Sequence, residues 1–413
     1  MKTWTRVSPL SLADGEFDPR GRIFLGDNGQ QFDLSSVTLC HTGVDTVRQL
    51  YRGTPNPAAL KRIEAAGAQR QETVMVMGNE WALKRMGKNS GYRWGLFDNE
   101  WGLVVLYGSQ YQQLDGGGSH LKIEVSPRLC GNYPPVNVQG TLDSIARELL
   151  NDWAPAGVAI HLAADIQGWE PPDRYESQLV TRARARTRID AIQEAQFDTL
   201  SEIAVTYGDR ETFMWGKPGA LQFATYRKDR EIVASDKIDY WHGVWQDASG
   251  GTWRKGQAVW RFELRFHHVV VKEIGMGIDA DFKRYVDVAD YLGDLWLYGL
   301  MRNRLDRSVY IDPFWQFLIE DAKPEQPTGI VVRRVKKSSV GSIGRNVANM
   351  IGNMVSLYAR QGWNASQVVR AIKRLELWQQ ILIYYQGKGL DENGITEAIR
   401  KTILLRRLAG SAA

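Results

Sequence analysis

GVAIHLAADI (157–166), LQFATYRKDREI (221–232) and AVWRFELRF (258–266) are the stretches on which the reading of this chain turns. Side chains alternate across a strand, so each stretch can be split into two faces. In the first, Val158, Ile160, Leu162, Ala164 and Ile166 share one face, and His161 and Asp165 share the other. In the third, Trp260, Phe262, Leu264 and Phe266 oppose Arg261, Glu263 and Arg265. In the second, Tyr226 and Lys228 lie together, with Gln222 and Ala224 before them. As neighbours in one sheet, the three strands would merge their polar faces into a single surface. Asp165, Glu263 and His161 are then candidate ligands for a divalent cation, Mg²⁺ or Mn²⁺. Tyr226 is the candidate nucleophile. A phenol has a pKa of about 10, so Lys228 or the metal is needed to favour its phenolate. Arg261 and Arg265 are candidate phosphate contacts. Half-exposed strands with a solvated polar face give the same alternation, and His161 by itself fits a satisfied core histidine as well as a ligand.

Working outward, short strands are expected at 44–51, 92–97, 102–108 and 120–125. Asn56 caps a helix with Pro57 in its first turn and Gly67 as its stop. TLDSIARELLNDW (141–153) reads as an amphipathic helix behind a Thr141 cap. A charged helix is expected over about 173–199, and helices over 281–301, 364–385 and 395–408. A helix-then-strand block occurs twice, which suggests a structural duplication. These readings give an α+β fold: a curved, mainly antiparallel sheet with flanking helices and a helical C-terminal region. The expected division is an N-terminal extension (1–36), a catalytic domain (37–275), its helical continuation (276–325) and a basic helical segment (326–413), with KPEQPTG (323–329) as linker.

The 413 residues include 15 Trp and 12 Phe, enough apolar mass for two or three folded units. Cys40 and Cys130 are isolated, which excludes a disulfide framework or a CxxC pair and suggests a reducing cytoplasm. The N-terminus lacks a signal-peptide core, and no run of about 18 apolar residues occurs; a cytoplasmic protein without membrane contact is expected. The net charge of +5 is uneven: residues 326–413 hold 14 Lys+Arg against 4 Asp+Glu, a surplus of ten that leaves the rest slightly acidic. That asymmetry suits phosphate contacts, with Arg333, Arg334, Lys336 and Lys337 as the first candidates. A solvated helical surface would have the same composition. Trp363, Trp378, Tyr384 and Tyr385 read as core packing rather than base-stacking groups. No Walker loop occurs, so unwinding would need a separate host helicase. No G-x-S-x-G elbow is found. A His-hydrophobe-His motif is absent, and His267 and His268, as adjacent strand residues, would face opposite ways. His120 and Glu124 are weaker site candidates.

The series HLAADIQGW, ETFMWG…LQFATYRKDREI and VWRFELRF resembles the Rep_trans type of rolling-circle replication initiators from plasmids and filamentous phages, a group that includes relaxases of some integrative conjugative elements. The resemblance spans roughly residues 40–320. Its D-x-x-x-D strand falls on His161 and Asp165, its Tyr-x-Lys strand on Tyr226 and Lys228 with Glu231 just beyond, and its Arg-x-Glu strand on Arg261 and Glu263. Histidine at the first acidic position departs from the pattern. The resemblance implies nicking of one DNA strand at a single-stranded or cruciform origin site, a 5′-phosphotyrosyl link, a 3′-OH primer, later rejoining, and action as a homodimer. Two alternatives share the same residues: a DNA-binding regulator without catalysis, and a metal-dependent nuclease using water.

Overall fold

Two strands of eighteen residues organise the first of two units into which the chain divides, Met1–Val335 and Lys336–Ala413. The computed structural model describes residues 1–7, 21–87, 90–183, 185–189, 212–217, 219–335, 343–386 and 390–410. Strands β1 (Thr5–Val7), β2 (Ile23–Leu25) and β3 (Gln31–Asp33) form a small sheet. The long β4 (Thr38–Pro55) leads into α1 (Pro57–Ala68), where Asn56 Oδ1 accepts from Ala58 N at 3.0 Å and Ala59 N at 3.3 Å. A meander follows: β5 (Thr73–Val76), β6 (Asn79–Arg85), β7 (Tyr92–Asp98), β8 (Leu103–Ser109) and β9 (Gly118–Val125). Next come α2 (Pro127–Asn132), α3 (Pro135–Leu149) and the second long strand, β10 (Leu150–Gln167). After α4 (Tyr175–Gln178) and β11 (Leu179–Thr181), the chain forms β12 (Arg186–Ile189), β13 (Thr212–Trp215) and β14 (Leu221–Arg227). Helices α5 (Lys228–Ala234) and α6 (Ile238–Ala248) separate β14 from β15 (Val259–Phe266). The unit closes with α7 (His268–Met276), α8 (Tyr285–Val288), α9 (Leu292–Arg302), β16 (Asn303–Arg307), β17 (Tyr310–Ile311) and α10 (Pro313–Glu320).

Among the described residues the main sheet has eleven strands in the order β12-β13-β14-β15-β10-β4-β9-β8-β7-β6-β5, and its pairs are antiparallel. The fold is thus α+β on an open antiparallel sheet. Its two halves repeat one topology. Each begins on its long central strand, and its last strand, β9 or β15, returns to pair with that strand. The repeat has a short sequence trace. HTGVD (41–45) in β4 and HLAAD (161–165) in β10 both carry His-x-x-x-Asp.

The apolar face of β10, β14 and β15 packs into the main core. Leu162, Phe223, Phe262 and Leu264 meet Ile145 of α3, Val270 of α7, Leu295 of α9 and Phe314 of α10. Gly299 is required there, because a Cβ would lie 2.3 Å from a methyl of Leu264. The opposite face is covered by α5 and α6, whose Ile232, Trp241 and Trp245 form a cluster with Cys40 and Val259.

Several local expectations give way to tertiary context. Residues 1–36 read as an extension, yet Trp4 and Phe24 are buried in the main core. Arg6 also pairs with Asp321 at 2.8 Å. Thr141 is internal to α3, its hydroxyl donating to Asn137 O at 3.2 Å, and Trp153 belongs to β10. The charged helix expected over 173–199 is, where described, the short α4 and two strands; residues 190–199 lie outside the described residues. The expected helix over 281–301 is divided into α8 and α9. The stretch 323–329 is held against α9: Thr328 N donates to Asp294 Oδ2 at 3.0 Å.

The second unit consists of α11 (Ile343–Arg360), α12 (Ala365–Lys373), α13 (Trp378–Gln386) and α14 (Glu392–Gly410) around its own core of Val347, Ile351, Val368, Ile372, Ile395 and Ile399. The long helix expected over 364–385 breaks at 374–377. No Gly or Pro marks that break; packing of Leu375 and Trp378 onto the core imposes it.

Candidate functional site

Register aligns the polar groups in three rows across β4, β10, β15 and β14. His41, Asp165, Arg261 and Tyr226 form the first row. Gly43, Ala163, Glu263 and Ala224 form the second, so Glu263 is flanked by side chains no larger than methyl. Thr46, His161, Arg265 and Gln222 form the third. Between Val44, opposite Leu162, and Thr46, opposite His161, Asp45 is an extra residue. Such a bulge re-aims a side chain that strict alternation would place elsewhere. It brings Asp45 to His161 and Glu263, and one ligand atom from each lies within 4.8 Å of the others.

The carboxylates divide into two kinds. Asp165 is fully buried and accepts three hydrogen bonds: Arg261 Nε donates to Oδ1 at 2.6 Å and Nη2 to Oδ2 at 2.7 Å, while Trp245 Nε1 donates to Oδ2 at 2.8 Å. The neighbouring guanidinium holds Asp165 below the usual carboxylate range against its burial. Asp45 bonds Arg261 and accepts from Thr46 Oγ1 at 3.0 Å. Glu263 receives Arg265 Nε and Nη2, both at 2.8 Å, and faces His161 Nδ1 at 3.1 Å. An ionised carboxylate has about four acceptor sites, so Asp45 and Glu263 retain capacity for a cation. Burial lowers the His161 pKa despite Glu263, which keeps the imidazole neutral as a ligand must be. Two hard carboxylates and an imidazole suit Mg²⁺ or Mn²⁺. The donor set fits the metal with Asp45 in place of Asp165.

Tyr226 is a diagonal neighbour of Glu263 on the adjacent strand, a spacing of about 7–8 Å for such pairs. It is 7% exposed, and no described residue hydrogen-bonds its hydroxyl. Burial first, then the charges of Glu263 and Asp45, push its pKa well above the ordinary value, with Arg261 opposing. The phenol is therefore protonated in the protein alone. Lys228 does not share a strand face with Tyr226. It starts α5, pairs with Glu231, and lies 4.8 Å from the Trp241 ring centroid.

Arg261, expected to meet phosphate, is fully buried between Asp165 and Asp45 and stacks over Trp241 at 4.3 Å. That position makes it a positioning group. Arg265 instead lines a small recess of about 10 Å³, room for about one water, with Arg48, His161, Gln222 and His267. Arg48 was missed because its strand reads as ordinary amphipathic alternation. Asp45 was missed because a bulge leaves no mark in the residue pattern. His120 is structural, its Nδ1 accepting from Ser109 N at 3.2 Å and its Nε2 lying 3.0 Å from Gly116 O. Glu124 pairs with Lys122 at 2.8 Å and Arg48 at 3.4 Å, beside the triad. His267 and His268 follow the strand: His267 caps α7, and the two rings lie 4.0 Å apart. Of the basic run, Arg333 is exposed and Arg334 pairs with Glu273. Lys336 and Lys337 lie outside the described residues. Among the described residues, no helix is long and apolar enough to cross a membrane.

No family model matches the sequence. The chain is 33% identical to the ORF430 protein of Pseudomonas phage Pf1 over an alignment of 431 residues that covers 99% of both, and that relative's name assigns no activity. With identity of that level over the whole length, the chain belongs to the family of the Pf1 ORF430 protein.

Proposed function

We propose that this protein is a replication initiator that nicks one DNA strand by tyrosine transesterification, with Tyr226 as nucleophile and Asp45, His161 and Glu263 as the metal-holding set. The observation that carries the reading is the convergence of these four residues on one buried sheet face beside the guanidinium groups of Arg48 and Arg265. Kinship with a protein of a filamentous phage supports a role in phage DNA metabolism.

A divalent cation bound by the triad would polarise the scissile phosphate and favour the phenolate. Arg48 and Arg265 supply the positive charge that would meet the phosphate, and Arg261 holds Asp45 in place from behind. Tyr226 Oη forms the new bond to phosphorus, the bond from phosphorus to the 3′-oxygen breaks, and that oxygen takes up a proton to become the primer hydroxyl. Duplex unwinding falls to a host helicase, and two copies would supply the tyrosines for nicking and rejoining.

The test is incubation with Mn²⁺ and labelled single-stranded oligonucleotides tiling the genome that encodes the chain. A denaturant-resistant protein–DNA adduct that disappears in Tyr226→Phe is the expected result. Cleavage without an adduct would assign the triad to water activation. Binding with neither cleavage nor adduct would make the protein a regulator.

A further inference from the structure

The second unit holds a helix built differently from its neighbours. From Lys336 to Leu375 there are seven Lys+Arg and no Asp or Glu. Within this stretch α11 ends at Arg360. A four-residue turn, 361–364, follows with Gly362 at φ +79°, and α12 then begins. A helix, a tight glycine-containing turn and a short second helix is the arrangement that presents the second helix to a DNA major groove. The start of α12 is fixed by a reciprocal cap: Gln367 N donates to Asn364 Oδ1 at 3.0 Å, and Asn364 N to Gln367 Oε1 at 2.9 Å. Ala365, Val368, Val369 and Ile372 are buried, whereas Ser366, Arg370, Lys373 and Arg374 share the exposed stripe at i, i+4, i+7 and i+8. Lys373 is tied to Glu392 and lies over Trp378. Arg370 and Arg374 have no ion-pair partner among the described residues.

We infer that α12 is a duplex-DNA-reading helix, with Ser366 and Arg370 addressing base edges in the major groove and Arg374 a flanking phosphate. The inference shares with the proposed function only the premise that DNA is the partner; it does not require nicking. The exposed stripe carries no large apolar side chain, which disfavours insertion into a lipid surface. The major groove of double-stranded RNA is too narrow for a helix.

The test uses the full-length protein and a duplex library with a randomised 20-bp core, with affinity measured between 50 and 200 mM KCl. The wild-type chain should enrich a sequence motif. Arg370→Ala should lose preference at one or two positions of that motif, each by about fivefold to 150-fold, the equivalent of about 1–3 kcal/mol. Arg374→Ala should weaken all sequences alike and reduce the salt slope by about one. Lys401→Ala, on α14, is the control expected to keep the motif. Unchanged selection and slope in the Arg370/Arg374 double variant, with unchanged thermal unfolding, would overturn the inference. So would loss of binding to phosphatidylserine vesicles with duplex binding intact. The adduct assay with single-stranded DNA is read separately, so either proposal can fail without the other.

Discussion

The two His-x-x-x-Asp strands invite comparison, because the same motif leads to opposite environments. In one quarter of the sheet face, His41 and Asp165 are roofed by α6: Trp241 packs edge-on to His41 at 5.3 Å, and Trp245 donates to Asp165. Arg261 completes the closure, and the aspartate accepts three hydrogen bonds beneath α6. In the other quarter, Asp45 and His161 meet Glu263 beside small residues and Arg265. The residue types are the same in both. What differs is the cover: two indoles over His41 and Asp165 on one side, small neighbours and a second carboxylate beside Asp45 on the other, while Arg261 bonds both aspartates. A buried aspartate's openness to a cation thus depends on how many of its acceptor sites the protein already fills, three on Asp165 and two on Asp45.

The largest effect that would break this comparison is expected at Asp45. Asp45→Asn should lower metal-dependent nicking by about a thousandfold or more, the loss of several kcal/mol of Lewis-acid stabilisation, and should abolish protection of the protein by Mn²⁺ against thermal unfolding. Full activity in this variant would remove Asp45 from the metal set. Asp165→Asn, by contrast, should act on stability, lowering it by about 3–5 kcal/mol because buried Arg261 loses its main partner; denaturant unfolding reads this directly. If Asp165→Asn folds as well as wild type and abolishes nicking, the roles of the two aspartates are reversed.

The smallest effect is expected in the pH dependence of stability. Burial holds the His41 pKa down to about 4, from an ordinary 6.5. Between these values the unfolded chain binds a proton that folded His41 refuses, so stability falls as pH drops from 6.5 toward 4 and the contribution then levels off. The carboxylates Asp45, Asp165 and Glu263 are depressed, so their contribution is present above their ordinary values and is lost further into acid. Thermal unfolding of His41→Gln at pH 7 and pH 5 should show a shallower decline than wild type. An identical decline would place the titrating group elsewhere.

Much of the face was legible because alternation is local. His161, Asp165, Tyr226, Arg261, Glu263 and Arg265 do lie on one polar face of neighbouring strands, as their period-two spacing requires. Lys228 departs because the strand ends at Arg227 and a helix begins. Asp45 lies in the strand expected over 44–51, 116 residues before His161, and only the pairing of β4 with β10 makes them neighbours.

Sequence alone determined the alternating strands, the capped α1, the uneven charge and the chemical inventory of the face, since each depends on side-chain type and spacing along a short stretch. Tertiary structure alone decided that Asp45 meets His161 and Glu263 while Asp165 is held bidentately by Arg261 beneath Trp245. That choice depends on a one-residue bulge and on a helix packed from another part of the chain, neither of which leaves a periodic trace in the residues it positions.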